Sequence, residues 1–288
     1  MLLLADSGST KTEWRLVDHR GQVAASLISE GLNPYFLTEQ EIARVIETKV
    51  LPRVASVTQV FFYGAGCGLA PKAEQVKRAI DRVIPTPHGA GVAGDILAAA
   101  RSLLQHHAGV ACILGTGANS CVYTGDEISE GVPSLGYMFS DWGSGTVLSR
   151  DFLGLLLQER LPEAILRDFN VTYQLSRMQI LESVYNKPSA NKFMASFTPF
   201  LLKYAEEPAI RDIILDNFRK FYSYYVLRYK DVNKIHNVSV VGSVAYHFRS
   251  YLVEAGQEVG IQIDKILQHP MEGLILYHCQ MAQERAAV

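Results

Sequence analysis

The feature that most constrains this chain is a glycine-rich turn that interrupts an apolar run at two distant places. The first copy is Leu2-Leu3-Leu4-Ala5-Asp6-Ser7-Gly8-Ser9-Thr10-Lys11-Thr12, and the second is Val110-Ala111-Cys112-Ile113-Leu114-Gly115-Thr116-Gly117-Ala118-Asn119-Ser120. A β-type stretch follows each copy, from Glu13 to Asp18 and from Cys121 to Thr124. Both segments therefore predict a strand, a tight turn and a second strand.

Turns of this composition suit an anion, because glycine lets the backbone approach closely and successive N–H groups form an anion-binding concavity. Asp6 lies in the first turn beside several hydroxyls, a setting that suits hydrated Mg²⁺ carrying a phosphate. A plain hairpin turn is the alternative, since Asp, Gly and Ser favour turns anyway. The segment is not a Walker A loop, because Gly8 does not immediately precede Lys11.

Composition narrows the classes of protein that this chain can represent. Its 288 residues, 48% of them hydrophobic and 19% charged, suffice for one large or two ordinary domains. The net charge of −2 gives no electrostatic reason to expect nucleic acid or an acidic membrane as a partner. The start at Met1 has no basic leader and no apolar run approaches membrane-spanning length, so we expect a cytoplasmic protein. The cysteines form no C-x-x-C pair, which disfavours a zinc site or disulfide framework.

Strand-like and helix-like stretches alternate after each turn. Thr38 and Glu41 have the spacing of a capping box, and further helices are predicted near 71–84 and from Asp95 to about His107. The region from about 150 to 230 is mostly helical, and 238–241 predicts a last buried strand before Gly242. This repeated order predicts an α/β protein whose two domains face each other across a cleft.

Asp95 stands at a predicted helix start, where two roles are open. A carboxylate there caps backbone N–H groups and is favoured by the helix dipole. The same carboxylate can instead serve as the general base that takes a proton from a hydroxyl.

Three other segments carry competing interpretations. Gly89 to Gly94 satisfies G-x-G-x-x-G, but Pro85 and Pro87 interrupt the strand that a dinucleotide fingerprint needs, so NAD binding is disfavoured. Asp141 and Trp142 lie among glycines, where they can contact a sugar or simply close a loop before a helix. The aromatic residues between Phe218 and Tyr229 follow helical spacing and predict a core-facing helix rather than a nucleic-acid stripe.

Taken in order, these segments resemble the N-acetylglucosamine kinase group within the BadF/BadG/BcrA/BcrD-type ATPases, of the sugar kinase, Hsp70 and actin superfamily. The matching parts are Asp6 to Thr12, the Asp95 helix start, Gly115 to Asn119, Asp141 to Ser144 and Val241 to Val244. The resemblance implies two ribonuclease-H-like, actin-like ATPase domains facing across a nucleotide cleft. It places them at 1–107 and 108–270, with a helical insertion at about 150–230 and a final helix at about 271–288 packing back on the first.

The resemblance also implies roles for individual residues. Asp6 would hold Mg²⁺ and Asp95 would be the catalytic base. The ATP and its phosphates would contact Ser9, Thr10, Lys11, Gly115, Thr116, Gly117, Gly242, Ser243 and Ala245. The sugar would contact Asn33, Asp95, Ala118, Asn119 and Asp141. The family commonly has Asp-Glu-Gly-Ser where this chain has Trp142 after Asp141, and Pro34-Tyr35 follows Asn33, so the identity of the sugar is open.

The sequence thus predicts an ATP-dependent amino-sugar kinase that uses Mg²⁺, with N-acetylglucosamine as the expected substrate and a homodimer allowed. One alternative is an ATPase that energises a partner enzyme, as the activators of 2-hydroxyacyl-CoA dehydratases do. Those activators hold an iron–sulfur cluster between subunits, and no suitably placed cysteine pair is evident here. A non-catalytic sugar sensor is the other alternative, and no helix-turn-helix precedes the first strand to support it.

Overall fold

A computed structural model describes residues 1–8, 10–229 and 237–286, with side chains as far as residue 281. The chain divides into two compact units. Unit 1 contains Met1–His107, the short turn Thr124–Glu127 and the chain from His269 onward. Unit 2 contains Ala108–Tyr123 and Ile128–Gln268.

Unit 1 is built on a five-stranded mixed sheet in the order β3-β2-β1-β4-β5. The strands are β1 (Leu2–Ser7), β2 (Lys11–Val17), β3 (Val23–Glu30), β4 (Gln59–Gly64) and β5 (Gly91–Gly94). The first three form an antiparallel meander, whereas β4 runs parallel to β1 and β5 runs parallel to β4. The carboxyl ends of β1, β4 and β5 therefore lie at one edge of this sheet.

The helices of unit 1 begin and end close to their predicted positions. They are α1 (Glu39–Val45), which continues as a π-helical turn at Ile46–Val50 and a 3₁₀ turn at Leu51–Arg53, then α2 (Ala70–Val83) and α3 (Asp95–Leu104). The predicted capping box of Thr38 and Glu41 is confirmed. The third helix stops before His107, because Gln105 adopts a φ of 54° that a right-handed helix does not allow.

Unit 2 repeats the topology of unit 1 with a sheet in the order β10-β9-β6-β7-β8. Its strands are β6 (Gly109–Leu114), β7 (Ala118–Tyr123), β8 (Ile128–Gly131), β9 (Val238–Val241) and β10 (Ile263–Leu267). Strands β6, β7 and β8 again form an antiparallel meander, and β9 and β10 again add in parallel. The predicted α/β class is confirmed.

The helices of unit 2 cluster between β8 and β9. They are α4 (Gly145–Leu157), α5 (Glu163–Tyr173), α6 (Arg177–Tyr185), α7 (Ala190–Ala195), α8 (Thr198–Lys203) and α9 (Pro208–Phe221), which continues as a π-helical turn at Tyr222–Val226. Two more, α10 (Ser243–His247) and α11 (Arg249–Glu258), lie between β9 and β10. The prediction of a core-facing aromatic helix is confirmed, since Tyr224 is exposed but the aromatic side chains at the predicted spacing are buried: Phe218, Phe221, Tyr222, Tyr225 and Tyr229.

The last helix, α12 (Met271–Ala286), belongs to unit 1, where it contacts α3 and β1. Its residues Met271, Ile275 and Cys279 form an apolar cluster with Leu2 and Leu4 of β1. It therefore covers one face of the first sheet. Among the described helices, none combines the length and the apolar character needed to cross a bilayer.

Candidate active site

The first hairpin places Asp6 near the carboxyl end of β1, opposite Glu13 on β2 and Tyr63 on β4. The turn closes with the Gly8 N–H donating to the Lys11 carbonyl at 3.0 Å. Thr10 and Lys11 are exposed, whereas Ser9, a predicted phosphate contact, lies outside the described residues. The accessible surface of this turn therefore carries a hydroxyl and a cation.

Two hydroxyls of the same hairpin point inward and serve the structure. The hydroxyls of Ser7 and Thr12 are 2.8 Å apart, and that of Thr12 donates to the Glu30 carbonyl at 2.8 Å. The Ser7 hydroxyl also accepts a hydrogen bond from the Leu32 N–H at 3.0 Å. These bonds hold the segment before Asn33 against the end of β1.

Asp6 and Asp95 form an electrostatically coupled pair in unit 1. Burial raises the pKa of Asp6 to about 7, with repulsion from Asp95 and then from Glu13 adding to the rise and Lys11 opposing it. Like charges near one another disfavour the second ionisation, as does a low-dielectric setting. A strongly raised pKa from burial and a neighbouring charge is typical of functional sites.

Asp95 is the first residue of α3, and Gly94 occupies the cap position. Asp95 is therefore not the N-cap residue itself, but its carboxylate still accepts from a backbone N–H of the first turn, so both roles predicted for it stay open. Its Oδ1 accepts from the N–H of Ile96 at 2.9 Å. The helix dipole favours the negative charge at this end of α3.

The carboxylates of Asp6 and Asp95 fit a site for a hydrated divalent cation. No group of three or more His, Cys, Asp or Glu residues within the described ranges is arranged to hold a metal. Mg²⁺ needs no such cage, because it usually takes one or two carboxylates, water and substrate phosphates. A bound cation would relieve the repulsion between the two carboxylates, which contributes to the raised pKa of Asp6.

Asn33 is held in a defined position close to the end of β1. Its Oδ1 accepts from the Tyr35 N–H at 2.9 Å. Gly66 has a φ of +87°, and a Cβ there would lie 2.6 Å from the same Oδ1, so glycine is required. Among the described residues, no hydrogen-bond acceptor is found for Asn33 Nδ2, which leaves that amide free to donate to a ligand.

The second hairpin joins β6 to β7 through Gly115, Thr116 and Gly117, and the start of α4 holds it in place. Gly145 N–H donates to the Gly115 carbonyl at 2.8 Å, and the Thr146 hydroxyl donates to the Thr116 carbonyl at 2.7 Å. Ser144 caps this helix by accepting from the Val147 N–H. The first N–H groups of α4 are therefore used within the protein and do not form an anion site.

Asp141 also contacts this turn. Its Oδ1 accepts from the Ala118 N–H at 3.2 Å, and a Cβ on Gly117 would lie 3.3 Å from its Oδ2. Asp141 has a φ of 60°, which is uncommon for a residue other than glycine. Burial raises the pKa of its carboxyl, and the bond from Ala118 opposes the rise. The structure thus brings together Asp141 and the turn, which are separated in sequence.

Gly242, at the end of β9, contributes close backbone packing. Its φ is +135°, and a Cβ there would lie 2.1 Å from the Leu114 carbonyl oxygen. Since β6 and β9 are parallel neighbours, Gly242 and Gly115 meet at the same edge of the sheet. The Ala245 side chain is fully buried in the core of unit 2, so the predicted contact of this residue with ATP would have to be made by its backbone.

Some features of the site escaped sequence analysis. The Thr146 hydroxyl donates to the Thr116 carbonyl, and the Tyr225 hydroxyl accepts from the Asp141 N–H, so both residues bond to predicted site segments. The spacing of Tyr225 in the sequence indicated only a buried aromatic side chain. Trp142 packs between two cations, with Lys220 Nζ 4.7 Å and Arg150 Cζ 5.4 Å from its ring centre, so it supports the loop. For Thr146, the one indication in the sequence was its position near the start of the helix predicted after the Asp141 loop.

The Gly89–Gly94 motif does not have the context of a dinucleotide fingerprint. Strand β5 lies inside the motif rather than before it, which agrees with disfavouring NAD.

Comparisons with known proteins define the class of this fold. The chain aligns with a ROK family glucokinase from Streptomyces griseus, solved with glucose and AMPPNP, at 13% identity and a TM-score of 0.54 over 97% of this chain and 99% of that one. A putative N-acetylglucosamine kinase from Chromobacterium violaceum aligns at 14% identity and a TM-score of 0.70, over 96% and 98%. These likenesses confirm the predicted fold class, an α/β protein of two domains, each built on a five-stranded mixed sheet.

A nearer structural relative shows the family. A protein of Porphyromonas gingivalis, also named as a putative N-acetylglucosamine kinase, has 40% identity and a TM-score of 0.93, over 97% of this chain and 99% of that chain. This chain therefore belongs to the N-acetylglucosamine kinase-like family that its motifs indicated. No protein-family model matches the chain. A search of curated proteins also finds no match.

Proposed function

We propose that this protein transfers the γ-phosphoryl group of ATP to a hydroxyl of an amino sugar, with N-acetylglucosamine as the substrate. The observation that carries the proposal is the pair Asp6 and Asp95, whose repulsion helps to raise the pKa of Asp6 to about 7. Two carboxylates with separated roles are what phosphoryl transfer requires, one for the metal and one for the proton. The 40% identity to the P. gingivalis protein supports the choice of sugar.

Asp95 is the proposed general base. It accepts the proton of the sugar hydroxyl, the hydroxyl oxygen forms a bond to the γ-phosphorus, and the bond from that phosphorus to the β,γ-bridging oxygen breaks to release ADP. Such proton transfer contributes about 10²–10⁴-fold in rate. Asp95 lies in the first turn of α3, where the helix dipole favours a negative charge.

Asp6 would hold Mg²⁺, which when bound supplies charge neutralisation on the transferring phosphate. Asp6 is available as a ligand only when ionised, since a protonated carboxyl is a poor ligand for a hard cation. Its raised pKa therefore makes metal binding release a proton over the neutral pH range. Lys11, exposed on the same turn, is a cation for the phosphates.

The second hairpin supplies neutral donors in this proposal. The Gly115 N–H already donates to the Gly117 carbonyl at 3.0 Å. Within the described part of the chain, the N–H groups of Thr116 and Gly117 have no such partner, which leaves them for a phosphate. Gly242 and Ser243 would form the surface against the adenosine, and Asn33, Asp141, Ala118 and Asn119 would contact the sugar.

The test is a panel of amino sugars and hexoses incubated with Mg-ATP and scored for sugar-dependent release of ADP. We expect N-acetylglucosamine to give the highest kcat/KM and a phosphorylated sugar in equal amount to the ADP. Release of ADP at one rate with and without every sugar would refute the kinase and favour the ATPase alternative. The four cysteines are free thiols buried in the protein, which counts against the cluster that this alternative needs.

A further inference from the structure

The π-helical turn at the end of α9 contains two buried tyrosines with different partners. Tyr222 is fully buried and its hydroxyl donates to the Leu252 carbonyl at 2.8 Å, within the helical layer of unit 2. Tyr225 is 2% exposed, and its hydroxyl accepts from the Asp141 N–H at 2.6 Å and bonds to the Ser140 hydroxyl. Of these two tyrosines, Tyr225 is the one that bonds to a predicted sugar contact.

The main chain of Tyr225 makes a second connection. Its carbonyl accepts a hydrogen bond from the Ser120 hydroxyl at 2.7 Å, and the same hydroxyl is 2.7 Å from that of Tyr229. Ser120 follows Asn119 on β7, and the Asn119 Oδ1 accepts from the Ser120 N–H at 2.9 Å. Tyr225 is thus bonded at one end to the Asp141 loop and at the other to the strand that carries Asn119.

The backbone of Asp141 explains why such a connection is needed. A φ of 60° is an uncommon conformation for a residue with a Cβ, and it persists only where surrounding contacts hold it. The hydrogen bond from the Asp141 N–H to the Tyr225 hydroxyl is one of these contacts. It aims the Asp141 carboxylate at the turn, where Oδ1 meets the Ala118 N–H at 3.2 Å.

Tyr225 lies within a single π-helical turn. The Leu227 N–H donates to the Tyr222 carbonyl at 2.8 Å, five residues back, as a π-helix requires. The extra residue in this turn rotates the following side chains by about 100° relative to a continuous α-helix. Such single π-helical turns are frequent at functional sites.

We propose that Tyr225 is a positioning residue for sugar binding, which acts by holding Asp141 in its left-handed conformation and at a set distance from Asn119. This inference rests on the proposed function, since it takes Asp141 as a sugar contact. Tyr225 itself does not touch the substrate in this proposal. Its removal should therefore change the affinity for the sugar and leave the binding of ATP unaltered.

The experiment compares Tyr225→Phe with Tyr222→Phe, a matched control in the same π-helical turn. Each change removes one buried hydroxyl, so both should lower the melting temperature by similar amounts. We expect Tyr225→Phe to raise the KM for the sugar about tenfold, equivalent to about 1.4 kcal/mol, with the KM for ATP within twofold of wild type. Tyr222→Phe should leave both constants within twofold. Equal sugar constants in the two variants would overturn the inference.

A double-mutant cycle tests whether Tyr225 acts through Asp141. Sugar binding is measured by calorimetry in Asp141→Ala with and without Tyr225→Phe. If the tyrosine only positions the aspartate, its change should have no further effect in that background. A further tenfold loss there would contradict the inference. Should Tyr225→Phe fail to fold, Ser120→Ala breaks the other end of the connection and should raise the sugar KM about threefold, whereas an unchanged KM would argue against it.

The two proposals can fail separately. All constants are measured with the sugar that wild type phosphorylates fastest. A wild-type protein with no sugar-dependent turnover would refute the proposed function and this inference together. An active wild type whose Tyr225→Phe variant keeps its sugar KM would refute the inference alone.

Discussion

The two glycine hairpins have the same topology and different chemistry. In unit 1, Ser7 pairs with Thr12 and the turn carries exposed Lys11 beside Asp6, whose pKa is raised to about 7. In unit 2, Leu114 pairs with Ala118, and the turn consists of glycine and threonine held by α4 and Asp141. The first hairpin offers charge, and the second offers neutral backbone donors.

In the proposed reaction, this difference would give the two hairpins different roles. Metal binding and proton transfer need carboxylates with tuned pKa values, and those lie on β1 and α3 of unit 1. Fixed backbone N–H groups can donate hydrogen bonds to phosphate oxygens, and a turn of glycine and threonine supplies them without a charged side chain. The same strand-turn-strand hairpin can therefore serve either role, depending on a few side chains in its turn.

The largest effect should come from Asp95. We expect Asp95→Asn to lower kcat by about 10²–10⁴-fold with little change in ATP affinity, because the proton acceptor is lost and the phosphate contacts remain. Steady-state kinetics with saturating sugar measures it. Glu163→Gln is the control, since Glu163 is an acidic residue in the first turn of α5. If both variants keep wild-type turnover, Asp95 serves only the helix dipole.

The next largest effect should come from Asp6. We expect Asp6→Asn to lower kcat by about 10²–10³-fold and to raise the Mg²⁺ concentration needed for half-maximal rate, because the amide carries no charge for the cation. Titration of Mg²⁺ at fixed ATP measures this. If the variant needs the same Mg²⁺ concentration as wild type, Asp6 is not a metal ligand. The charged role proposed for the first hairpin would then be wrong.

Alanine at the two turn glycines tests which backbone approaches phosphate. A Cβ on Gly115 meets nothing within 4 Å, and one on Gly8 meets only the Lys11 carbonyl at 3.8 Å, so neither change should unfold the protein. We expect Gly115→Ala to raise the KM for ATP about tenfold and Gly8→Ala to raise it less than threefold, by interference with a phosphate on the backbone.

Gly154→Ala controls for an added methyl group in unit 2, since nothing lies within 4 Å of its Cβ either. This change in α4 should leave the KM for ATP unchanged and stabilise the helix slightly. Equal effects of Gly8→Ala and Gly115→Ala on ATP would mean that both hairpins bind phosphate through their backbones. The contrast between the charged and the neutral turn would then be wrong.

The smallest effect concerns stability against pH. Asp6 has a pKa raised from 3.8 to about 7, so between these values the folded state holds a proton that the unfolded state has released. The free energy of unfolding must then fall as pH rises through this window. We expect ligand-free Asp6→Asn to be more stable than wild type at pH 8 and equal to it below about pH 4.

Denaturant titrations of wild type and Asp6→Asn across pH 3.5 to 8.5 measure this difference. Asp18→Asn is a control of the same chemistry outside the site, because hydrogen bonds from the backbone N–H groups of Gln22 and Arg20 lower the pKa of Asp18. That variant should lose stability at neutral pH rather than gain it. A difference between wild type and Asp6→Asn that does not change with pH would contradict the raised pKa of Asp6.

Much of the fold could be predicted from the chain because its signals are local. The capping box at Thr38, the strand before Gly242 and the buried face of the aromatic helix each follow from short-range spacing. The family resemblance also came from short motifs. The limit of α3 was less accurate, since the left-handed Gln105 carries no glycine or proline signal.

The arrangement of the candidate site could not be predicted from such signals. Asp141 and Ala118 are joined by a hydrogen bond across 23 positions, and Asp141 and Tyr225 across 84. No local preference encodes those pairs. Ala245 illustrates the same limit, since only tertiary packing shows that its side chain is buried in the core of unit 2.

The sequence by itself determined the two strand-turn-strand units, the candidate acidic residues Asp6 and Asp95, and the family. Periodicity, turn composition and motif spacing are properties of neighbouring residues, so they can be read without the fold. The tertiary structure decided which polar groups remain available and how their charges interact. The pKa of Asp6 depends on burial and on Asp95, and the direction of Asp141 depends on Tyr225. Both arise only when distant segments pack together, because desolvation and Coulomb repulsion depend on distance in space.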